Sequence, residues 1–206
     1  MKLEIIKPFG PSIVKFKLPD ELVLEMNKYA DQIINDKKKS EDLNEGPKLA
    51  GNVQQEFLLD TDFMKKIKWA EILANITAEW IKNKRGRNLK NFRIIKSWIV
   101  RQFKNEYNPL HFHSGHISGV GYLKVPKNLG STVQEGKKNN MNGKLELVES
   151  SPKFLCSGNY TATPQVGDMY LFPNYLLHTV YPFSDTEDER RSVSFNAEID
   201  ELAAAL

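Results

Sequence analysis

Six short segments in the second half of the chain constrain its fold most strongly. From about residue 92 onward these segments are rich in β-branched and aromatic residues and are separated by turn formers. They are RIIKSWIVRQF, ISGVGYLKVP, GKLELVES, GDMYLFP, LHTVYPF and RRSVSFNAEI. Because no helical pattern lies between them, the sequence predicts an antiparallel sandwich or barrel.

The first ninety residues carry two stretches of helical spacing. One helix is predicted to begin after Pro19-Asp20, with apolar residues recurring up to Ile34. A second is predicted to begin near Asp60-Thr61 and to continue to Ile81. Both apolar stripes are best explained as faces that pack against a sheet. We therefore expect one α+β domain, mainly β, over residues 1–206, with a helical buttress (1–90) and a β core (91–200).

Composition restricts the function mainly by exclusion. The net charge of +3 at pH 7 comes from a diffuse excess of lysine without a long basic block, which gives no strong indication of a nucleic-acid partner. Charge and proline interrupt the opening MKLEIIKPFGPSIVKF, so we expect neither a signal peptide nor a membrane span there. The single cysteine, Cys156, excludes an internal disulfide and suits a reducing compartment. We expect a cytoplasmic protein with no membrane partner.

The histidines are the most distinctive candidates for a functional site. Three of the four lie within six positions, in HFHSGHISG, and the fourth is His178 in LFPNYLLHTV. In a strand, His111 and His113 would point the same way, with about 6–7 Å between their Cα atoms. His178 follows a strand and a turn, so it can supply a ligand from a neighbouring strand. His116 falls where the chain turns, and the pattern does not set its direction.

The last predicted strand has one polar and one apolar face. Arg190 and Ser192 lie on the polar face, while Val193 and Phe195 lie on the other. The apolar face is predicted to be buried against the helices. The polar face could meet water or, in a closed β-roll, line an interior pocket. Alternation places Arg191 with the apolar residues.

Taken in order, these motifs resemble a known family. An H-x-H motif opens a strand series, a histidine follows a Gly-Asp strand, and Arg-x-Ser comes twelve residues after that histidine. This pattern is similar to that of the non-haem iron, 2-oxoglutarate-dependent oxygenases, in particular a bacterial and phage subgroup. The matching segments are HFH (111–113), SGVGYL (118–123), GKL (143–145), FPNYLLHTV (172–180) and RRSVSFN (190–196). The resemblance spans about residues 95–199 and, more loosely, the amino-terminal helices.

The resemblance implies a fold, a reaction and a metal site. The family fold is a double-stranded β-helix, or jelly roll, with amino-terminal helices packed against it. The implied activity is that of an Fe(II)- and 2-oxoglutarate-dependent dioxygenase, with hydroxylation as the expected reaction and succinate and CO₂ as products of the co-substrate. Such chemistry needs three protein ligands on one face of the iron and open positions on the other. By this resemblance we expect His111, His113 and His178 to be the ligands.

The same resemblance implies a site for the co-substrate. The distal carboxylate of 2-oxoglutarate needs a fixed cation inside the roll, and the planar fork of arginine suits it. We expect Arg190 to bind that carboxylate beside the hydroxyl of Ser192, with Tyr122 donating a further hydrogen bond. Arg191 is the competing candidate by position.

One departure from the family pattern concerns the second iron ligand. The broad superfamily has Asp or Glu where this chain has His113. A three-histidine site lacks the negative charge of the carboxylate, so Fe²⁺ with doubly charged 2-oxoglutarate would be neutral overall. Two alternatives stay open: a carboxylate from elsewhere replaces one histidine, or His116 takes part.

Three other interpretations compete. HFHSGH resembles the H-x-H-x-D-H motif of metallo-β-lactamase-fold zinc hydrolases, but Gly115 occupies the aspartate position. A cupin also combines H-x-H with a later Gly-Asp, Pro and His, but Ile117 and Ser118 stand where its glutamate is expected, and Arg190 would have no role. A jelly-roll binding protein with incidental histidines is the non-enzymatic alternative. The sequence does not indicate the oligomeric state or whether the substrate is a small molecule or a macromolecule.

Overall fold

Two antiparallel sheets face each other, and helices cover the outer side of the larger one. The computed structural model describes residues 10–134 and 136–200. The helices are α1 (Asp20–Asn35), α2 (Lys37–Leu43), α3 (Thr61–Lys66) and α4 (Trp69–Arg85), with a 3₁₀ turn at Gly46–Lys48. The strands are β1 (Val14–Lys17), β2 (Gln55–Leu58), β3 (Phe92–Gln102), β4 (Asn108–His111), β5 (Ile117–Lys124), β6 (Leu145–Val148), β7 (Asn159–Ala162), β8 (Asp168–Pro173), β9 (Leu177–Val180) and β10 (Arg190–Ile199).

The strand order is that of a jelly roll. The larger sheet has the order β1-β8-β5-β10-β3-β2, and the smaller sheet has the order β4-β9-β6-β7. All pairings within them are antiparallel. This architecture confirms the predicted mainly β fold class. It also shows that the first ninety residues are more than a helical buttress, because β1 and β2 form the two edges of the larger sheet.

The helices bury their apolar faces against the larger sheet. On α1, Met26, Ala30 and Ile33 are fully buried, as the helical spacing predicted. Val193 and Phe195 on β10 belong to the same buried cluster. The apolar side of the last strand therefore faces the helices, and its polar side is left to face the smaller sheet.

Close packing within the larger sheet explains a glycine of the SGVGYL segment. A Cβ atom at Gly119 would lie 2.4 Å from Cε1 of Phe195 and 2.8 Å from the backbone oxygen of Tyr170. Both distances are far below normal van der Waals contact, so a residue without a side chain is required here.

The second predicted helix is divided in two. The chain leaves helical geometry at Ile67 and Lys68, and Lys68 has the left-handed φ of 53°. Directly after the break, Trp69 is fully buried and its indole N–H donates a 3.0 Å hydrogen bond to Oγ of Ser97 in β3. The change of direction lets this large side chain enter the core, a tertiary requirement that apolar spacing does not express. No helix in the described residues is both long and apolar enough to cross a membrane.

Candidate active site

The pairing of β4 with β9 brings two distant histidines together. His111 and His178 are direct cross-strand partners in this register, which is irregular between Asn108 and His111. Side chains that face each other on adjacent strands have Cβ atoms about 5 Å apart. The register thus places the two imidazoles on the same face of the smaller sheet, toward the interior of the roll.

The chain turns back after β4 and brings His113 to the same place. Gly115 has a φ of 97°, and a Cβ atom there would lie 2.7 Å from the backbone oxygen of Ala197. The turn is held by Asn174, whose backbone oxygen accepts from N–H of His113 at 3.2 Å and whose Nδ2 donates to the oxygen of His113 at 2.9 Å. His113 therefore lies beyond the end of the strand on which it was expected.

The three imidazoles form one cluster. One ring nitrogen from each of His111, His113 and His178 can be chosen so that all three lie within 4.8 Å of one another. Nε2 of His113 is 3.1 Å from Nε2 of His178. Nδ1 of His111 lies 2.7 Å from the backbone oxygen of Pro109, and Nδ1 of His178 lies 2.9 Å from that of Leu176. Since a carbonyl only accepts, Nδ1 must carry the proton in both rings, and Nε2 presents its lone pair to the cluster.

Burial keeps two of these rings neutral. It is the main cause that lowers the pKa of His113 to about 4 and that of His178 to about 3, and the nearby His111 contributes to both shifts. His178 is only 6% exposed. Neutral imidazoles with free lone pairs are the form that binds a metal ion.

The arrangement fits a divalent cation. Two nitrogens bound at right angles to one ion, each at about 2.1 Å, lie about 3.0 Å apart, close to the separation of the His113 and His178 nitrogens. The carbonyl bonds to Nδ1 are the outer hydrogen bonds that orient metal-binding histidines. Among the described residues, no Asp or Glu joins this group. Nδ1 of His116 instead accepts from the backbone N–H of Ile199 at 3.1 Å, so the structure does not bring His116 into the cluster.

A buried arginine lines the same cavity. Arg190 is 2% exposed, and no carboxylate of the described residues forms an ion pair with it. Its Nε and Nη2 atoms have no hydrogen-bond partner. Leaving a buried cation with unused donors is costly, so such groups occur where a ligand supplies the missing acceptors.

Two hydroxyl groups accompany this arginine. The Tyr122 ring lies under the guanidinium, with 4.9 Å between its centroid and Cζ of Arg190, and the Tyr122 hydroxyl has no hydrogen-bond partner. Burial raises the pKa of Tyr122, and the adjacent guanidinium opposes this rise. Ser192 lines the cavity and is the β10 residue paired with Tyr122. The residues expected to bind the co-substrate therefore lie together, with unused donors among them.

Arg191 lies on the opposite side of the sheet and has its own partners. It is paired with Glu189, donates to both oxygens of Asn27 at 3.1 Å, and contacts Oδ1 of Asp31 at 2.7 Å. Its Nη1 and Nη2 join β10 to α1, and its Nε binds Glu189 just before β10. Arg191 therefore holds the sheet to α1, whereas Arg190 keeps unused donors in the cavity.

Other cavity residues were not anticipated as functional. Trp98, Gln102, Asn108 and Phe172 line the space between the histidines and Arg190. The ring centroid of Trp98 is 5.9 Å from that of His113, and that of Phe172 is 5.0 Å from that of His178. Gln102 could have been noticed as a polar residue on the same face of β3 as the apolar Val100 and Trp98.

The fold and the site together define a class of protein: a jelly roll with a cluster of three histidines and a buried cation in one cavity. Several solved structures share this fold. A Pseudomonas putida prolyl-4-hydroxylase matches at 17% identity, with 91% of each chain covered and a TM-score of 0.58. The epimerase SnoN from nogalamycin biosynthesis matches at 15% identity, with 91% of this chain and 76% of that chain covered and a TM-score of 0.62. HygX from Streptomyces hygroscopicus, with nickel and 2-oxoglutarate bound, matches at 10% identity, with 91% and 83% covered and a TM-score of 0.57.

A family model gives the more specific assignment. Residues 96–196 match the family described as "Putative 2OG-Fe(II) oxygenase". No curated protein matches the chain by sequence. By this match residues 96–196 form an Fe(II)- and 2-oxoglutarate-dependent oxygenase domain, and Fe(II) and 2-oxoglutarate are the cofactor and co-substrate of that family.

The competing interpretations each fail on a residue. A dinuclear zinc hydrolase would need His116 beside the other histidines, and that ring bonds to the backbone of β10. A cupin, or a binding protein with incidental histidines, would leave the two unused donor atoms of the buried Arg190 without a purpose.

Proposed function

We propose that this oxygenase binds Fe(II) through Nε2 of His111, His113 and His178, and that it binds the distal carboxylate of 2-oxoglutarate through Arg190, Ser192 and Tyr122. One observation carries the proposal. A cluster of three imidazoles and a buried cation with unused donors line the same cavity. A dicarboxylate whose other end chelates a metal satisfies both.

The side chains have distinct tasks in this proposal. The three imidazoles hold the metal on one side, and their Nδ1 hydrogen bonds fix two of the rings in direction. Arg190 neutralises the distal carboxylate, and the Tyr122 hydroxyl donates a hydrogen bond to it. The buried walls formed by Trp98 and Phe172 exclude water. When bound, Fe(II) and 2-oxoglutarate supply the activation of O₂ that oxidises the substrate.

We further propose that the reaction is a hydroxylation and that the protein works in the cytoplasm. The prolyl-4-hydroxylase among the structures with this fold supports the first part. The second part is supported by Cys156, which is free and exposed, as expected of a cysteine in a reducing compartment. The diffuse charge of the sequence gives no strong indication of a nucleic-acid partner, and we expect no membrane partner and a separate substrate, small or macromolecular.

An anaerobic titration tests the proposal. Adding Fe(II) and then 2-oxoglutarate to the protein should produce the visible charge-transfer absorption of a chelated 2-oxo acid. Admitting O₂ should then convert 2-oxoglutarate to succinate. Tight Fe(II) binding without that absorption would contradict the co-substrate site and favour a metal-binding protein of another kind.

A further inference from the structure

Gln102 has an amide whose orientation is determined by its surroundings. The side chain is 1% exposed. Its Nε2 donates to the backbone oxygen of Glu106 and, at 3.3 Å, to that of Tyr181. Because both neighbours are carbonyls, they can only accept, so the NH₂ group must point toward them. The amide oxygen therefore points the other way.

That oxygen contacts the proposed co-substrate arginine. Oε1 of Gln102 accepts from Nη1 of Arg190 at 2.5 Å. This is the only hydrogen bond found for the guanidinium in the described parts of the chain, and Nε and Nη2 are left unpartnered. When a fixed acceptor holds Nη1, the plane of the guanidinium is set, and Nε–H and one Nη2–H point in parallel, the geometry that a carboxylate accepts.

The hydrogen-bond acceptor of Arg190 is a neutral amide, whereas the two neighbouring arginines are bound by a carboxylate. Arg101 and Arg191 both form ion pairs with Glu189, outside the cavity. Arg190 lies on the adjacent strand position, yet its partner is an amide. An amide orients the cation without cancelling its charge, whereas a carboxylate would do both.

We infer that Gln102 is a positioning residue that orients Arg190 while leaving its positive charge uncompensated, and that it thereby makes the site select a 2-oxo acid with a second, distal carboxylate. The inference rests on the proposed function of the cavity. In this inference Gln102 influences specificity through Arg190, which binds the co-substrate.

The test compares two ligands in four proteins. The ligands are 2-oxoglutarate and 2-oxopentanoate, which has the same number of carbons but no distal carboxylate. The proteins are wild type, Gln102→Glu, Gln102→Met and Gln55→Glu. Gln55 is the matched control because its Oε1 also accepts from an arginine, Arg101, away from the cavity. Dissociation constants are measured anaerobically with Fe(II) from the charge-transfer absorption, and circular dichroism and Fe(II) binding verify the fold.

The ratio of the two dissociation constants is the decisive quantity. Wild type and Gln55→Glu should favour 2-oxoglutarate by about 100-fold, as expected when a carboxylate meets a buried, unpaired cation. In Gln102→Glu the ratio should approach 1, because the new carboxylate neutralises Arg190. In Gln102→Met the affinity for 2-oxoglutarate should fall by about tenfold, with the preference retained, because orientation is lost but charge is not. A general folding defect would weaken both ligands equally and leave the ratio unchanged.

Several outcomes would overturn the inference. One is that folded Gln102→Glu keeps the wild-type ratio of the two dissociation constants. Another is that this ratio falls as far in Gln102→Met as in Gln102→Glu, because a neutral replacement with the same effect would exclude charge as the cause. If Gln102→Glu does not fold, Gln102→Met decides the question, because wild-type affinity in that variant would disprove the positioning role. If wild-type protein with bound Fe(II) does not bind 2-oxoglutarate at all, the proposed function itself fails.

Discussion

His111 and His178 are cross-strand partners 67 positions apart, and each donates from Nδ1 to the carbonyl two residues before it. In both rings the proton is therefore on Nδ1, because each Nδ1 faces a backbone carbonyl, which can only accept. His113 lacks such a bond and lies in the segment between β4 and the turn at Gly115. Two of the three proposed ligands are thus placed by strand pairing and the third by a loop.

Replacing any one of the three histidines by alanine should weaken Fe(II) binding by roughly 100-fold or more, because a site with two ligands loses both a bond and its geometry. Anaerobic calorimetry measures the change. His116→Ala is the matched control, since His116 lies in the same segment but bonds to Ile199, and its affinity should stay within about threefold of wild type. A large loss in His116→Ala, with no loss in His113→Ala, would show that the ligand set is different.

The two adjacent arginines should respond oppositely to methionine substitution. Arg190→Met should abolish 2-oxoglutarate binding and leave the free energy of unfolding equal to or above that of wild type, because an uncompensated buried cation is removed. Arg191→Met should retain binding but lower the free energy of unfolding by about 1–2 kcal/mol, since Glu189 keeps only Arg101 and the half-exposed Asp31 keeps only Lys124 as a cationic partner. Urea denaturation and the anaerobic titration measure the two effects. Loss of binding in Arg191→Met at temperatures where it is folded would reverse the assignment.

Glu56 should make stability depend on pH. Burial raises the pKa of this carboxyl from 4.5 to about 7, with repulsion from Glu106 adding to the rise and a hydrogen bond from Trp98 and attraction from Lys96 opposing it. Between these two pH values the folded protein holds the proton more tightly than the unfolded chain. The contribution of Glu56 to the free energy of unfolding is therefore fully present below pH 4.5. It falls by about 3 kcal/mol as the pH rises through 7.

The variant Glu56→Gln isolates that effect. At pH 8 it should be more stable than wild type by up to about 3 kcal/mol, and at pH 4.5 the two should be equal. Denaturation at both pH values gives the difference directly, because all other titrating groups are common to the two proteins. A constant difference across this range would show that Glu56 does not titrate as described.

Gly119→Ala should destabilise the protein by about 1–3 kcal/mol, because the added methyl group would overlap the Phe195 ring. Phe195→Leu removes the overlapping ring atoms, so the double variant should be less destabilised than the sum of the two single changes. Thermal unfolding of the four proteins gives this coupling. Additive effects would mean that the backbone near Gly119 moves away without strain.

Much of this architecture could be predicted from local pattern. Alternation along RRSVSFN placed Arg190 on the polar face of the strand and Arg191 on the apolar face before any pairing was known. The six predicted strands all exist, and α1 begins at Asp20 as its start signal indicated. These successes share a cause, because side-chain direction in a strand or helix follows from backbone periodicity alone.

The failures lie where neighbours come from distant segments. β7 and the two edge strands β1 and β2 are short, and their pattern alone does not distinguish them from loops. The break before Trp69 depends on a hydrogen bond to Ser97, 28 residues later. The role of Gln102 depends on two carbonyls and a guanidinium from three separate parts of the chain.

By itself, the sequence determined which residues can take part in the chemistry and which way each points from its own strand. Only the tertiary structure decided that three histidines converge, that His116 does not, and that Arg190 faces an amide in place of a carboxylate. Periodicity is a property of consecutive residues, whereas register between strands is set by packing across the whole roll. Distances and unused hydrogen-bond donors, on which the site depends, exist only after that packing is complete.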